Sequence, residues 1–146
     1  MTVKPETKFG NEITKNIKAY WIPFTITAKE GVPDLIGIKD GVTIFLELKC
    51  IKQNSINISP FQISLNSNIF GAYGKNYFLV KHIEQRIIKL YAGDKGKELK
   101  CDGFRVPSIV ELRPPYDWNA LRDHLFPYIP PRYIIKHGGL YKKKIS

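Results

Sequence analysis

The stretch Gly31-Val32-Pro33-Asp34-Leu35-Ile36-Gly37-Ile38-Lys39-Asp40-Gly41-Val42-Thr43-Ile44-Phe45-Leu46-Glu47-Leu48-Lys49 decides the fold. Two apolar runs, 34–38 and 42–48, stand on either side of Asp40-Gly41. A type I′ turn needs positive φ at both central residues, and Asp-Gly between apolar runs is the strongest local signal for it. The stretch therefore predicts a two-residue hairpin. Opposed residue numbers in such a hairpin share one sum, so Lys39 faces Val42, Leu35 faces Leu46 and Asp34 faces Glu47. Directly opposed side chains leave the same face of the sheet, with Cβ atoms roughly 4.5–5.5 Å apart. Lys49 lies two residues beyond Glu47 and joins that face by strand alternation.

The remaining residues of the hairpin are mostly apolar. Ile36, Ile38 and Phe45 share the face of the charged trio, and Leu35, Ile44, Leu46 and Leu48 form the other, so both faces are expected to be buried. Two adjacent carboxylates repel one another, and unpaired buried charge is costly. A divalent cation gives the trio a reason to exist. Mg²⁺ takes hard oxygen ligands, few of them carboxylate, and leaves room for water and a phosphate. Asp34 and Glu47 would hold the ion, which polarises a phosphate and lowers the pKa of a bound water. Lys49 would orient or help deprotonate that water, or offset charge in the transition state. The competing reading is a plain salt bridge of Lys49 with one carboxylate, worth about 0–1 kcal/mol if exposed. The geometry depends on register, because a slip of one residue sends Glu47 and Lys49 to the opposite face.

Working outward, Phe9, Ile13, Ile17, Tyr20 and Trp21 have the spacing of one helix face, with residues 1–8 polar and loose before them and Pro23 as the stop. Ile22 to Thr27 reads as an extended segment, broken by Gly31-Val32-Pro33. Ser59-Pro60 reads as an N-cap with proline at the first helical position. The helix it opens carries Phe61, Leu65, Ile69 and Phe70 and ends near Gly71 or Gly74. Strands are expected over 77–80, 86–91 and 108–112, and Asp117 caps a short helix through Leu121 and Leu125. Residues 127–146 form a tail rich in Pro, Tyr and Lys, with no assigned structure. The order helix, strands, helix, strands predicts a single α/β domain over 9–126, with a central mixed β-sheet flanked by helices.

The 146 residues carry 23 Lys and Arg against 13 Asp and Glu, a net charge of +10. A basic surface concentrates polyanions, so nucleic acid is the first partner to consider, an anionic membrane surface the second, and solubility alone the plainest alternative. Cys50 and Cys101 make no CxxC pair and argue against zinc. The N-terminus has no apolar signal core and no stretch is long and apolar enough to span a bilayer, so the expectation is a cytoplasmic protein with no membrane partner. There is no Walker A loop and no dinucleotide fingerprint. His82, His124 and His137 have no metal-ligand spacing and read as structural or surface residues, and Trp21 and Trp118 as core. Lys52 and the asparagines at 54, 57, 66 and 68 suit phosphate contacts or ordinary loop polarity. In the tail, Arg132, Lys136, Lys142, Lys143 and Lys144 interleave with Tyr128, Tyr133 and Tyr141, a pattern that fits either nucleic-acid binding or a solvated terminus.

Gly31-Val32-Pro33-Asp34-Leu35, Phe45-Leu46-Glu47-Leu48-Lys49 and Ser59-Pro60-Phe61-Gln62 together resemble the PD-(D/E)XK nuclease superfamily. More narrowly, they resemble its VRR-NUC and Holliday-junction-resolvase branch, often found in phages, in which case the location would be the host cytoplasm. The resemblance covers about the first half of the chain. It implies a restriction-endonuclease-like core and phosphodiester hydrolysis with Mg²⁺, for which Mn²⁺ substitutes. On this pattern Asp34 and Glu47 match the metal-binding acids, Lys49 the catalytic lysine, the Leu48 carbonyl a main-chain ligand, and Gln62 a glutamine beside the site. A glutamate on the first helix often completes such a site; Glu12 is the first candidate, ahead of Glu6 and Glu30. The implied substrate is DNA, branched DNA such as a four-way junction first, and symmetric cutting of two strands calls for a homodimer. The alternatives are a homing or restriction-type duplex endonuclease, and a basic nucleic-acid-binding protein without catalysis.

Overall fold

The hairpin forms in the register that the Asp-Gly turn dictates. In the computed structural model, which describes residues 3–23, 34–128, 135–136 and 139–140, β2 (Leu35–Lys39) and β3 (Val42–Ile51) are antiparallel. Lys39 pairs with Val42 and Leu35 with Leu46. Asp40 and Gly41 both have positive φ, 51° and 80°, as a type I′ turn requires. The ladder ends at Leu35 and Leu46: the Asp34 amide also donates to the Leu46 carbonyl, at 2.9 Å and one residue out of the hairpin's register, so Asp34 lies in a bend beside the pairing rather than directly opposite Glu47 as expected.

The other elements are α1 (Pro5–Asn16), β1 (Tyr20–Pro23), α2 (Pro60–Gly71), β4 (Asn76–His82), β5 (Ile87–Ala92), α3 (Gly96–Asp102), β6 (Val110–Leu112) and α4 (Trp118–Leu125). A six-stranded sheet runs in the order β1-β2-β3-β4-β5-β6. All neighbours are antiparallel except β3 and β4. A parallel pair needs a crossover, and α2 lies in it. The expected mixed sheet with flanking helices is therefore what the chain forms. Each face of the sheet carries its own core. Ile44, Leu46, Leu48, Leu79 and Leu90 pack with Phe9, Ile13 and Ile17 and with Leu121 and Leu125. Ile51, Phe78, Val80 and Tyr91 pack with Leu99, Phe104 and Val106. Alternation along β3 and β4 sends successive residues to opposite cores.

Several boundaries differ from the sequence reading. α1 starts at Pro5, so residues 5–8 are its first turn rather than part of a loose terminus, and it stops at Asn16. Tyr20 and Trp21 belong to β1, paired with Ile38 and Gly37; aromatic residues extend a strand as readily as they complete a helical stripe. Phe61 and Phe70 are exposed on α2 at 63% and 42%, whereas Asn66 is its buried residue. The face bearing the charged trio is not buried throughout: Ile38 and Thr43 near the turn are exposed, while Glu47 is covered, because the first turn of α2 lies over Glu47 and Lys49. The segment 93–105 contains α3 flanked by two short 3₁₀ turns. Ile135–Lys136 and Gly139–Leu140 pair as a small separate ladder. Trp21 and Trp118 pack against the first core. The 31–33 break and residues 24–27 of the expected extended segment lie outside the described residues.

A methyl group added at Gly41 would meet no atom within 4 Å, so a side chain there bears only the cost of positive φ. Gly41→Ala should therefore lower stability by about 1 kcal/mol. In urea titration this should appear as a lower midpoint with an unchanged m-value.

Candidate metal and catalytic site

The site forms where the open end of the β2–β3 hairpin meets the N-terminal turns of two helices. Asp34 precedes β2, and its Oδ2 accepts from the Leu48 amide at 2.7 Å. Glu47, on β3, is 1% exposed. Its Oε1 accepts from the Gln62 side-chain amide. Its Oε2 is buried with no hydrogen-bond partner. Lys49 Nζ donates to Gln62 Oε1 at 2.9 Å. The same Gln62 Oε1 accepts from the Ser59 amide at 3.0 Å, while the Gln62 amide donates to Ser59 Oγ at 3.1 Å. This is a reciprocal capping box at the start of α2. One glutamine thus caps its helix and joins the lysine to the buried acid.

Burial pushes the Glu47 carboxyl up to about 8; neighbouring Asp34 adds to the rise and Lys49 opposes it. Burial raises the Asp34 carboxyl too, with the Leu48 amide and Lys49 holding it back and Glu6 adding to the rise. The acids therefore sit in a surrounding short of positive charge, where an ionised Glu47 is unfavourable without a cation.

Glu6 stands nearer to this site than Glu12. Its Oε2 accepts from the Cys50 amide at 3.1 Å, and it shares with Asp34 and Leu48 a cleft of about 440 Å³. Glu12 is turned to the other side of α1, where its carboxylate binds Lys81 Nζ at 2.8 Å. The expectation for Glu12 is corrected on that ground: it is not brought to the acids, because an ion pair with β4 holds it away. The signal for Glu6 was present in the spacing. Stepping the stripe Ile17, Ile13, Phe9 back by three residues lands on Glu6, at about 100° per residue near the centre of the buried face. Reading the helix as starting at Phe9 hid it.

Among the other candidates, Lys52 is exposed just beyond β3. Arg132, Lys142, Lys143, Lys144 and Glu30 lie outside the described residues, as do Tyr133, His137 and Tyr141, and Lys136 is described only in its backbone. Asn54 donates to the Asp102 carbonyl and serves the loop packing. Sequence reasoning also missed a buried amide chain. Asn76 donates to the Asn66 backbone and side chain at 2.8 and 3.0 Å, and Asn66 donates to the Gln62 carbonyl at 2.8 Å. It fastens α2, and Gln62 with it, to the start of β4. Among the described residues, no three of His, Cys, Asp and Glu gather into a metal cluster by themselves. The donor set nonetheless suits a hard divalent cation that takes few carboxylates and fills its remaining positions with water and substrate, and the partnerless Glu47 oxygen is the atom such an ion would satisfy.

No family model matches the chain, and no curated protein matches it. Among solved structures the chain is similar to Hjc, a Holliday junction resolvase from the archaeal hyperthermophile Archaeoglobus fulgidus. The TM-score is 0.49 at 14% identity, covering 62% of this chain and 74% of that one. No helix among the described residues is long and apolar enough to cross a membrane.

The raised Glu47 carboxyl has a consequence for stability. Its ordinary value of 4.5 applies in the unfolded chain, and its folded value is about 8. Between the two, the folded state holds the extra proton, so stability is fullest below the lower value and is lost as pH rises to the upper one. In EDTA, urea unfolding should show a loss of a few kcal/mol across that window. Glu47→Gln keeps the shape and cannot ionise, so it should flatten the profile. A slope that survives the substitution would assign the titration to another group.

Proposed function

We propose that the chain is a divalent-metal-dependent nuclease that hydrolyses DNA phosphodiester bonds. The observation that carries this reading is the buried Glu47 carboxylate, with one oxygen partnerless and with Asp34 and Lys49 both acting on it electrostatically. Mg²⁺ or Mn²⁺ held by Asp34 and Glu47, with the Leu48 carbonyl and Glu6 as further oxygens, would supply positive charge to a phosphate and lower the pKa of an adjacent water. The chain's own residues do the rest. Lys49 presents an ammonium group to the phosphate or to the attacking water. Gln62 fixes the direction of that ammonium and holds one Glu47 oxygen, so that the other would be left for a cation. The net charge of +10 draws in the polyanionic substrate.

Within this reading, branched DNA such as a four-way junction is the substrate class suggested by the motifs at 31–35, 45–49 and 59–62. Paired cuts across a two-fold substrate would need a homodimer.

The test is incubation with labelled junction, duplex and single-stranded DNA, with Mg²⁺, Mn²⁺ or EDTA. Cutting should require the metal. Asp34→Asn, Glu47→Gln and Lys49→Ala should each lower the rate by about 10²-fold or more while DNA binding survives. Glu6→Gln should raise the metal concentration needed for half-maximal rate more than Glu12→Gln does. Binding to all three DNAs without cutting in any metal would replace this reading with that of a non-catalytic nucleic-acid-binding protein.

A further inference from the structure

Helix α1 has a cleft on each flank. The one lined by Glu6, Asp34 and Leu48 belongs to the site above. The other is a groove of about 570 Å³ lined by residues of α1, the end of β3 and the β4–β5 turn. Lys8, Lys52, Lys81 and Arg86 line it, and Glu12 is the one acid among its lining residues. Glu12 and Lys81 neutralise each other at 2.8 Å. Lys8, Lys52 and Arg86 are exposed, and among the described residues no acidic side chain pairs with them. The groove therefore holds three uncompensated cations in a concave wall, an arrangement that repels itself and attracts a polyanion.

The outer surface of α1 continues this pattern. Lys4, Lys8 and Lys15 fall on one side of the helix and are exposed. Both glutamates are turned inward, Glu6 onto the Cys50 amide and Glu12 onto Lys81. The groove is also next to the candidate site along the chain, because its lining residue Cys50 directly follows Lys49.

We propose that this groove is an anchoring subsite for the sugar-phosphate backbone of a nucleic acid, separate from the acids and taking no part in bond cleavage. It rests on the nuclease reading only for the identity of the polyanion. Lys8, Lys52 and Arg86 contact backbone phosphates, and the Lys81–Glu12 pair forms part of the same wall.

The experiment is fluorescence anisotropy with a labelled 20-base-pair duplex, in EDTA so that no cutting occurs, across a series of KCl concentrations. The variant Lys8→Gln, Lys52→Gln, Arg86→Gln should make the slope of log K against log[KCl] shallower by about 3, close to one per lost phosphate contact. A control with the same loss of charge, Lys95→Gln, Lys97→Gln, Lys100→Gln, removes exposed lysines on the opposite side of the sheet and should change the slope by less than about 1. Lys8→Arg, Lys52→Arg, Arg86→Lys keeps the charge and should keep the slope. The proposal is overturned if the groove variant keeps the original slope, if the control changes it equally, or if the charge-preserving variant loses it. Failure of the nuclease reading is separable: a protein that binds through the groove and never cuts loses the activity alone, whereas one that cuts while the groove variant binds normally loses the subsite alone.

Discussion

A carboxylate buried at 1% exposure next to a second acid is the constraint to which the structure around β3 is fitted. Glu47 lies in the long central strand, where a leucine or valine would pack at no electrostatic cost. Its neighbours soften the burial only in part. Gln62 satisfies one oxygen, Lys49 offsets some of the charge, and the second oxygen has no partner. A fold selected for stability alone would discard this arrangement, since buried polar groups are ordinarily satisfied. Placed beside Asp34, the unsatisfied oxygen is one that a cation would satisfy.

The topology brings the supporting residues together. Because β3 and β4 are parallel, the chain must cross over between them, and the crossover places the start of α2 above Glu47 and Lys49. Gln62 is then both the third residue of its helix, closing a capping box with Ser59, and the link between the lysine and the acid. Local helix chemistry and site geometry thus use the same side chain. The buried Asn66 and Asn76 pair secures α2 from below. Across the sheet, α1 divides its two glutamates between two environments: Glu6 goes to the backbone beside the acids and Glu12 to Lys81. Their separation of six residues, about 600° of helical rotation, makes that division unavoidable once the stripe Phe9, Ile13, Ile17 is seated in the core.

The sequence by itself determined the centre of this protein. Asp40-Gly41 set the turn, the turn set the register as far as Leu35 and Leu46, and strand alternation put Glu47 and Lys49 on one face, because each step is local and has period two. Ser59-Pro60 and Asp117 likewise marked their helices through capping chemistry that acts within one turn. The tertiary structure alone decided where α1 begins, that the inward glutamate Glu6 meets the Cys50 amide, and that Asn66 rather than Phe61 or Phe70 faces inward. It also decided that the second carboxylate oxygen of Glu47 has no partner, and that Lys8, Lys52 and Arg86 share a groove. Those outcomes depend on which helix faces meet which sheet face, and on how much of each strand a crossover covers. Glu6 and Cys50, or Lys8 and Arg86, are far apart along the chain. Helical spacing puts Glu6 on the buried face of α1, but which strand amide it meets, and that Lys8 and Arg86 share a wall, follow from packing between distant segments.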